Sequence, residues 1–391
     1  MKRLLAVSVL AAAVAIAGVA TAQKETRGVT KTEIVLGMHT DLSGPAATYG
    51  VSSSNAVKMR FDEANEAGGI HGRKIKLIVE DTQYQVPRAV QAGAKLINRD
   101  KIFAMVAGLG TPMNNALFKE QFDAGVPNLF PLSAARSMYE PFHKLKFYGA
   151  ASYVDQVRAG INYFVTKKGK KALCVMYQDT DFGKEVLDGV QAQADRMKLK
   201  IVETTTHKPT DQDFTAQVTK LKAANCDLVV VGTIVRDSIV PYATARKMGW
   251  TDVDFLGSAA SYDLFVAAAQ GGVTEGFYAM GLTAMPYRDT LSPQAQQWFD
   301  RYKERYKVDP NIGAIYGHVA ADLTATAIEK TGPELTTENF VKAMESIKGY
   351  HDIFHGPEVS FGPDKHQGAN SSFLAQVKGG RWVRLTDPLS F

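Results

Sequence analysis

Gly68-Gly69-Ile70-His71-Gly72-Arg73-Lys74 separates two apolar patterns of different period. Before it, Val57, Phe61 and Ala64 recur at spacings of four and three, which is one stripe along a helix. After it, Ile75-Lys76-Leu77-Ile78-Val79 reads as a strand. The paired glycines stop the helix, and Gly72 turns the chain into the strand. With the short apolar run Ile34-Val35-Leu36 ahead of the helix, the stretch closes a strand–helix–strand unit.

Working outward, the alternation continues. Val90, Ala94 and Ile97 form a second stripe, followed by a strand from Phe103 to Ala107, a helix near Asn114 to Ala124, and a strand from Val126 to Phe130. The pattern restarts after Phe147-Tyr148-Gly149-Ala150. Strands Ala172 to Tyr177, Ile201 to Thr205, Leu228 to Val231 and Phe255 to Gly257 then alternate with helical stripes. This predicts an α/β fold of two doubly wound parallel-sheet lobes, each sheet covered by helices on both faces. The tail breaks the alternation. It has an isolated strand Gly276 to Met280, helices Pro293 to Tyr306, Ile312 to Lys330 and Thr337 to Ser346, and short strands Val359 to Phe361 and Phe373 to Val377. Too few strands remain for a third sheet. The economical expectation returns the helices to the first unit and the last strands to the second, with a three-segment hinge near Phe147, Tyr278 and His351. Lobe 1 is then residues 30–148 and 281–350, and lobe 2 is 149–280 and 351–391.

Residues 1–22 read as a cleaved signal peptide. Lys2 and Arg3 precede the Ala-rich apolar run Leu4 to Val19, and Ala20-Thr21-Ala22 supplies the cleavage signal. The expected compartment is a bacterial periplasm. The 391 residues exceed one ordinary hydrophobic core, in keeping with two lobes. A net charge of +5 with no Lys/Arg block gives no case for nucleic acid. The two cysteines, Cys174 and Cys226, fall in or beside β-like runs. An oxidising compartment permits a disulfide; the reading preferred here is two buried thiols acting as small core residues.

Enzyme signatures are missing: there is no G-x-S-x-G, C-x-x-C, H-E-x-x-H or phosphate-binding loop. Gly108-Leu109-Gly110 follows a strand, but Met113 stands where a dinucleotide fingerprint needs its third glycine. Asp179-Thr180-Asp181 reads as a helix N-cap. His351, His355 and His366 lie near Gly349 and Pro357, which argue against a regular helical metal site. No catalysis, metal or cofactor is therefore expected. In open α/β sheets ligands bind beyond the carboxyl ends of the strands. Those positions hold Leu42 to Tyr49, Leu109-Gly110-Thr111 and Leu132 to Arg136 in the first unit. In the second they hold Asp179 to Phe182, Thr233 to Arg236 and Ser258 to Asp263. Two such rims facing across a hinge make a closable cleft. Thr111, Ser133 and the helix N-termini behind them favour an anionic group, with helix capping as the competing role of the two hydroxyls.

Several segments in order resemble the leucine/isoleucine/valine-binding proteins, type I periplasmic binding proteins that serve ABC importers. They are Leu42-Ser43-Gly44-Pro45-Ala46-Ala47-Thr48-Tyr49-Gly50, Ala67 to Lys74, Asp213-Phe214-Thr215, Val218 to Lys222, and Gly356-Pro357 with Phe361. The resemblance runs from about Thr32 to Lys378. It implies that Thr111 and the Ser133-Ala134-Ala135-Arg136 segment hold a ligand carboxylate, with Leu109 and Gly110 beside Thr111 on the same rim. It makes Tyr49 an aromatic wall and Phe182 the second-lobe cover. Amino-acid binders of the family carry an acid after the strand matching Phe255 to Gly257; here the stretch is Ser258-Ala259-Ala260-Ser261. Arg136 stands where a Thr is usual. A buried ammonium without a counter-charge is costly, and a guanidinium favours a carboxylate. The expectation is a carboxylate lacking an α-amino group, aromatic ahead of aliphatic, with Tyr153, Thr233, Ala259 and Tyr262 also in the site. An amino acid remains the alternative, its ammonium reached by Asp155 or Asp263. The implied partners are the membrane permease subunits of an ABC importer, the chain itself being a monomer. A sensor relaying ligand state to a membrane receptor is the reading from another class.

Overall fold

The computed structural model describes residues 26–390; the signal-peptide reading at 1–22 lies outside them. The first unit runs β1 (Glu33–Thr40), α1 (Ala47–Glu66), β2 (Lys74–Asp81), α2 (Val86–Ala94), β3 (Ala104–Val106), α3 (Thr111–Asp123), β4 (Asn128–Leu129) and β5 (Lys146–Phe147). The second runs α4 (Tyr153–Lys168), β6 (Leu173–Gln178), α5 (Asp181–Met197), β7 (Ile201–His207), α6 (Thr215–Ala223), β8 (Leu228–Gly232), α7 (Val235–Lys247), β9 (Asp254–Gly257), α8 (Leu264–Ala267) and β10 (Tyr278–Gly281). Then follow α9 (Pro293–Tyr306), α10 (Ile312–Thr331), α11 (Thr337–Glu345), β11 (Ser371–Lys378), β12 (Arg381–Arg384) and β13 (Leu389–Ser390).

The first sheet has the order β2-β1-β3-β4-β5 and is parallel throughout. The second has the order β12-β11-β10-β9-β8-β6-β7, parallel from β7 to β10 and antiparallel at β11 and β12. The two-lobe α/β fold is therefore observed. Every residue of β8 is buried, the pattern of a parallel strand covered on both faces. At the opening stretch, Gly69 N–H donates to Ala64 O at 2.8 Å and ends the helix. Gly69 has φ +84°, and a Cβ there would collide with the Arg73 carbonyl. Among the described residues no helix is long and apolar enough to cross a membrane.

The tail helices join the first unit. Ala320, Leu323 and Ile328 of α10 and Phe340 of α11 share its core with Leu36, Phe61 and Phe103. The third passage between the sheets departs from expectation: it lies at 369–371, not near His351. Residues 359–368 remain on the first unit because Phe361 packs on Phe130 and Phe147, with ring centroids 6.0 and 5.6 Å apart. Backbone bonds Tyr148 N–H to His366 O (3.0 Å) and Gly368 N–H to Tyr148 O (2.7 Å) fix them there. The second passage follows Gly281, since Tyr278 to Gly281 pairs with β11. The preference for free thiols is also corrected. Cys174 and Cys226 form a disulfide, with Cα atoms 5.9 Å apart. The parallel register sets Cys174 beside Val229 on β8, and Cys226 lies just before that strand.

Candidate functional site

A cavity of about 160 Å³ lies between the two rims. On the first rim, Gly110 leads into α3; Pro112 has no N–H and Asn114 N–H donates to Gly110 O at 3.1 Å, so the first-turn amides without a carbonyl acceptor in the helix are those of Thr111 and Met113. Asn114 Nδ2 donates to the Gly108 and Gly110 carbonyls at 2.9 and 2.8 Å, which holds this turn in place. Thr111 Oγ1 and Ser133 Oγ, both buried, lie 2.7 Å apart. One hydroxyl donates to the other, so the pair retains one O–H for a ligand. Ala134 O accepts from Tyr153 N–H at 2.7 Å. Burial pushes the Tyr153 phenol up to about 12, tempered by the Ala134 N–H beside it.

The second rim is apolar. Phe182, at the start of α5, is 2 % exposed and meets Tyr153 edge-on at 4.9 Å. Ile234, Val235, Ala259 and Ala260 complete this wall. Gln156 Oε1 accepts from Ala259 N–H at 2.8 Å and fixes the loop after β9. The Tyr49 hydroxyl crosses the cleft toward the Ala259 and Tyr262 carbonyls, at 3.2 and 3.3 Å. Burial first, and then Asp263, raises the Tyr49 phenol well above its usual range. An inner wall is formed by Phe130, Tyr148, Ile315, Tyr316, Val319 and Asp352.

The cleft is also bridged by charges at its mouth. Arg136 Nε lies 3.3 Å from Glu185 Oε2, and its terminal nitrogen lies 2.9 Å from Asp188 Oδ2. Asn115 Nδ2 donates to Asp181 Oδ2 at 2.9 Å. These contacts join α3 and the segment after β4 to α5, so the molecule is in a closed arrangement.

A family profile described as periplasmic binding protein matches residues 33–381. The chain belongs to that family. It falls in the type I, branched-chain amino acid group, the substrate-binding components of ABC transporters. A Leu/Ile/Val-binding protein homolog from Brucella suis is 24 % identical over 310 residues, covering 76 % of this chain and 77 % of the relative. A fatty acid ABC transporter substrate-binding protein from Thermomonospora curvata superposes with TM-score 0.82 at 24 % identity, covering 94 % of this chain and 95 % of its own. A branched-chain amino acid ABC transporter protein from Thermus thermophilus with bound valine gives TM-score 0.84 at 21 % identity, with coverage of 93 % and 98 %. A solute-binding protein from R. palustris in complex with benzoate gives TM-score 0.80 at 18 % identity, with coverage of 92 % and 98 %.

In this binding protein the cavity wall brings together Tyr49, Leu109, Gly110, Thr111, Ser133 and Ala134 of the first rim with Tyr153, Phe182 and Ala259 across it. Four other expected residues are not in the wall. Arg136 is drawn to the mouth by the two carboxylates of α5. Asp155 Oδ2 accepts from Ser152 Oγ at 2.9 Å, within the cap of α4. Thr233 Oγ1 is 2.8 Å from Ser238 Oγ. Tyr262 packs on Phe373 and Trp382, and its hydroxyl accepts from Met285 N–H at 3.2 Å. Asp263 is also outside the wall; Phe265 N–H donates to it at 2.8 Å, and burial pushes its carboxyl up to about 6. The inner-wall residues were not foreseen, because they come from a hinge, a long helix and a loop. The one signal for Asp352 was its place just before Gly356-Pro357.

Proposed function

We propose that this chain is the periplasmic solute-binding component of an ABC importer whose ligand is a small carboxylate with an aromatic or other apolar body and no α-ammonium. The observation that carries the reading is the contrast between the two rims. Thr111, Ser133 and the first turn of α3 offer donors to an anion. The stretch Ser258-Ala259-Ala260-Ser261 opposite offers no carboxylate to an ammonium. Tyr49, Tyr84, Tyr148, Tyr153, Phe182 and Tyr316 surround the space between, suiting a flat apolar body. The structural neighbours named with valine, benzoate or fatty acid share a carboxylate on an apolar body, and of these valine alone carries an α-ammonium.

Ligand binds the first rim in the open state, and the second rim then covers it. Membrane permease subunits would read the closed form of the monomer. Isothermal calorimetry of the full mature chain with benzoate, cinnamate and leucine tests the ligand class. Micromolar or tighter binding of an aromatic acid, with leucine weaker, is expected; tight leucine binding with no heat from the acids overturns it. The second reading, a branched-chain amino acid, is favoured by the relatives' names and by the Asp352 carboxylate in the wall.

A further inference from the structure

The inner end of the cavity holds polar groups that the carboxylate reading does not use. Thr283 follows β10 at the second passage between the sheets. It is 5 % exposed, and its Oγ1 is buried with no hydrogen-bond partner. It lines the ligand cavity and also a neighbouring cavity of about 230 Å³. Asp352 lines the ligand cavity from the segment after α11. Its Oδ1 accepts from Phe354 N–H at 2.7 Å and Gly356 N–H at 3.1 Å, which locks the carboxyl orientation and leaves Oδ2 over. Gly356 shows how close the two polar atoms come: a Cβ there would collide with Asp352 Oδ2 and would stand 3.5 Å from Thr283 Oγ1. Both atoms therefore lie close to Gly356, and both residues line the ligand cavity. Phe130, Ile315, Val319 and Val359 contribute apolar wall to the same cavity.

A buried hydroxyl without a partner is costly, and such groups in a ligand cavity are satisfied by the ligand or by water. We infer that Thr283 and Asp352 form a distal subsite for a hydroxyl at the end of the ligand remote from its carboxylate. One hydroxyl meets both demands: its O–H donates to Asp352 Oδ2, and its oxygen accepts from Thr283 Oγ1. An ammonium fits less well, since it has three donors and no acceptor for the Thr283 proton. The ligand is then a hydroxylated aromatic or aliphatic acid, anchored at both ends with its apolar body along Phe130, Tyr148 and Tyr316. This inference rests on the carboxylate reading above and narrows it.

The test is titration of the full mature chain with matched acids: 3-phenylpropanoate against 3-(4-hydroxyphenyl)propanoate, and benzoate against 4-hydroxybenzoate. In at least one pair the hydroxylated acid should bind about tenfold tighter, as expected for one hydrogen bond to a charged group. Thr283→Val, which keeps the side-chain shape, should remove that preference while leaving the unhydroxylated acid within about twofold. Asp352→Asn should reduce it with the same selectivity. Equal affinities within both pairs overturn the subsite and leave the carboxylate reading standing. A stronger gain from a 4-amino group than from the 4-hydroxyl also overturns the hydroxyl assignment. No binding of any of the four acids, with leucine bound tightly, overturns both readings.

Discussion

The two rims of the cleft are built from the same α/β plan and do opposite work. On the first, a strand end runs into α3, and the hydroxyls of Thr111 and Ser133 sit beside the free amides of the helix start. On the second, the corresponding turns present Phe182, Ile234, Val235, Ala259 and Ala260, and no charge. In the proposed function, polar recognition is thus concentrated in the first lobe, available before closure, whereas the second lobe excludes water. Closure itself draws on protein–protein contacts outside the cavity, from Arg136 to Glu185 and Asp188 and from Asn115 to Asp181.

The largest expected effect separates the stability of the second lobe from recognition. The Cys174–Cys226 disulfide closes a segment of 52 residues within that lobe. Replacing both cysteines by Ser should lower unfolding stability by about 4 kcal/mol in the chain-entropy description, read by denaturant melts. The affinity of the folded protein should stay within about twofold, because the bridge is remote from the first-rim donors. Next comes Thr111→Val combined with Ser133→Ala. Removing the hydroxyl pair should cost about 2–3 kcal/mol of binding, roughly a hundredfold in Kd, with little change in the melt. A loss below about threefold would place the carboxylate elsewhere.

The smallest effect belongs to Arg136. Its guanidinium is 38 % exposed and Asp188 is 60 % exposed, so solvent screens the bridge. Burial raises the Glu185 carboxyl, against the pull of Arg136 beside it. Arg136→Ala should weaken every ligand by the same few-fold factor, about 1 kcal/mol or less, and the loss should shrink as salt is added. A loss confined to carboxylate ligands would return Arg136 to the binding site.

These outcomes bear on what the chain made legible. Helical 3.6-residue stripes alternating with short apolar runs exposed the parallel parts of both sheets, since strands such as Leu228–Gly232 are buried on both faces and read as unbroken apolar runs. The glycine turn at 68–72 followed from local rules about helix ends, and the rim positions Thr111, Ser133 and Phe182 from the rule of strand ends together with the family resemblance. Arg136 lies outside the cavity wall because its position is set by Glu185 and Asp188 from the other lobe, a contact that no local pattern encodes. The disulfide was missed for the same reason: β6 and β8 are neighbours only once the sheet is formed. Thr283 lies at the second passage between the sheets and Asp352 in the irregular segment after α11, neither with a helical or strand period, so nothing in their surroundings marked them as cavity wall.

The contrast between the rims is tested most directly by one matched pair of ligands. 3-Phenylpropanoate and phenylalanine differ by the α-ammonium alone, and both can be titrated into the mature protein by calorimetry. An uncharged second rim requires the acid to bind at least tenfold more tightly than the amino acid, since an ammonium held opposite the first-rim donors would meet no carboxylate of that rim. Phenylalanine binding as tightly as 3-phenylpropanoate, or more tightly, would contradict it.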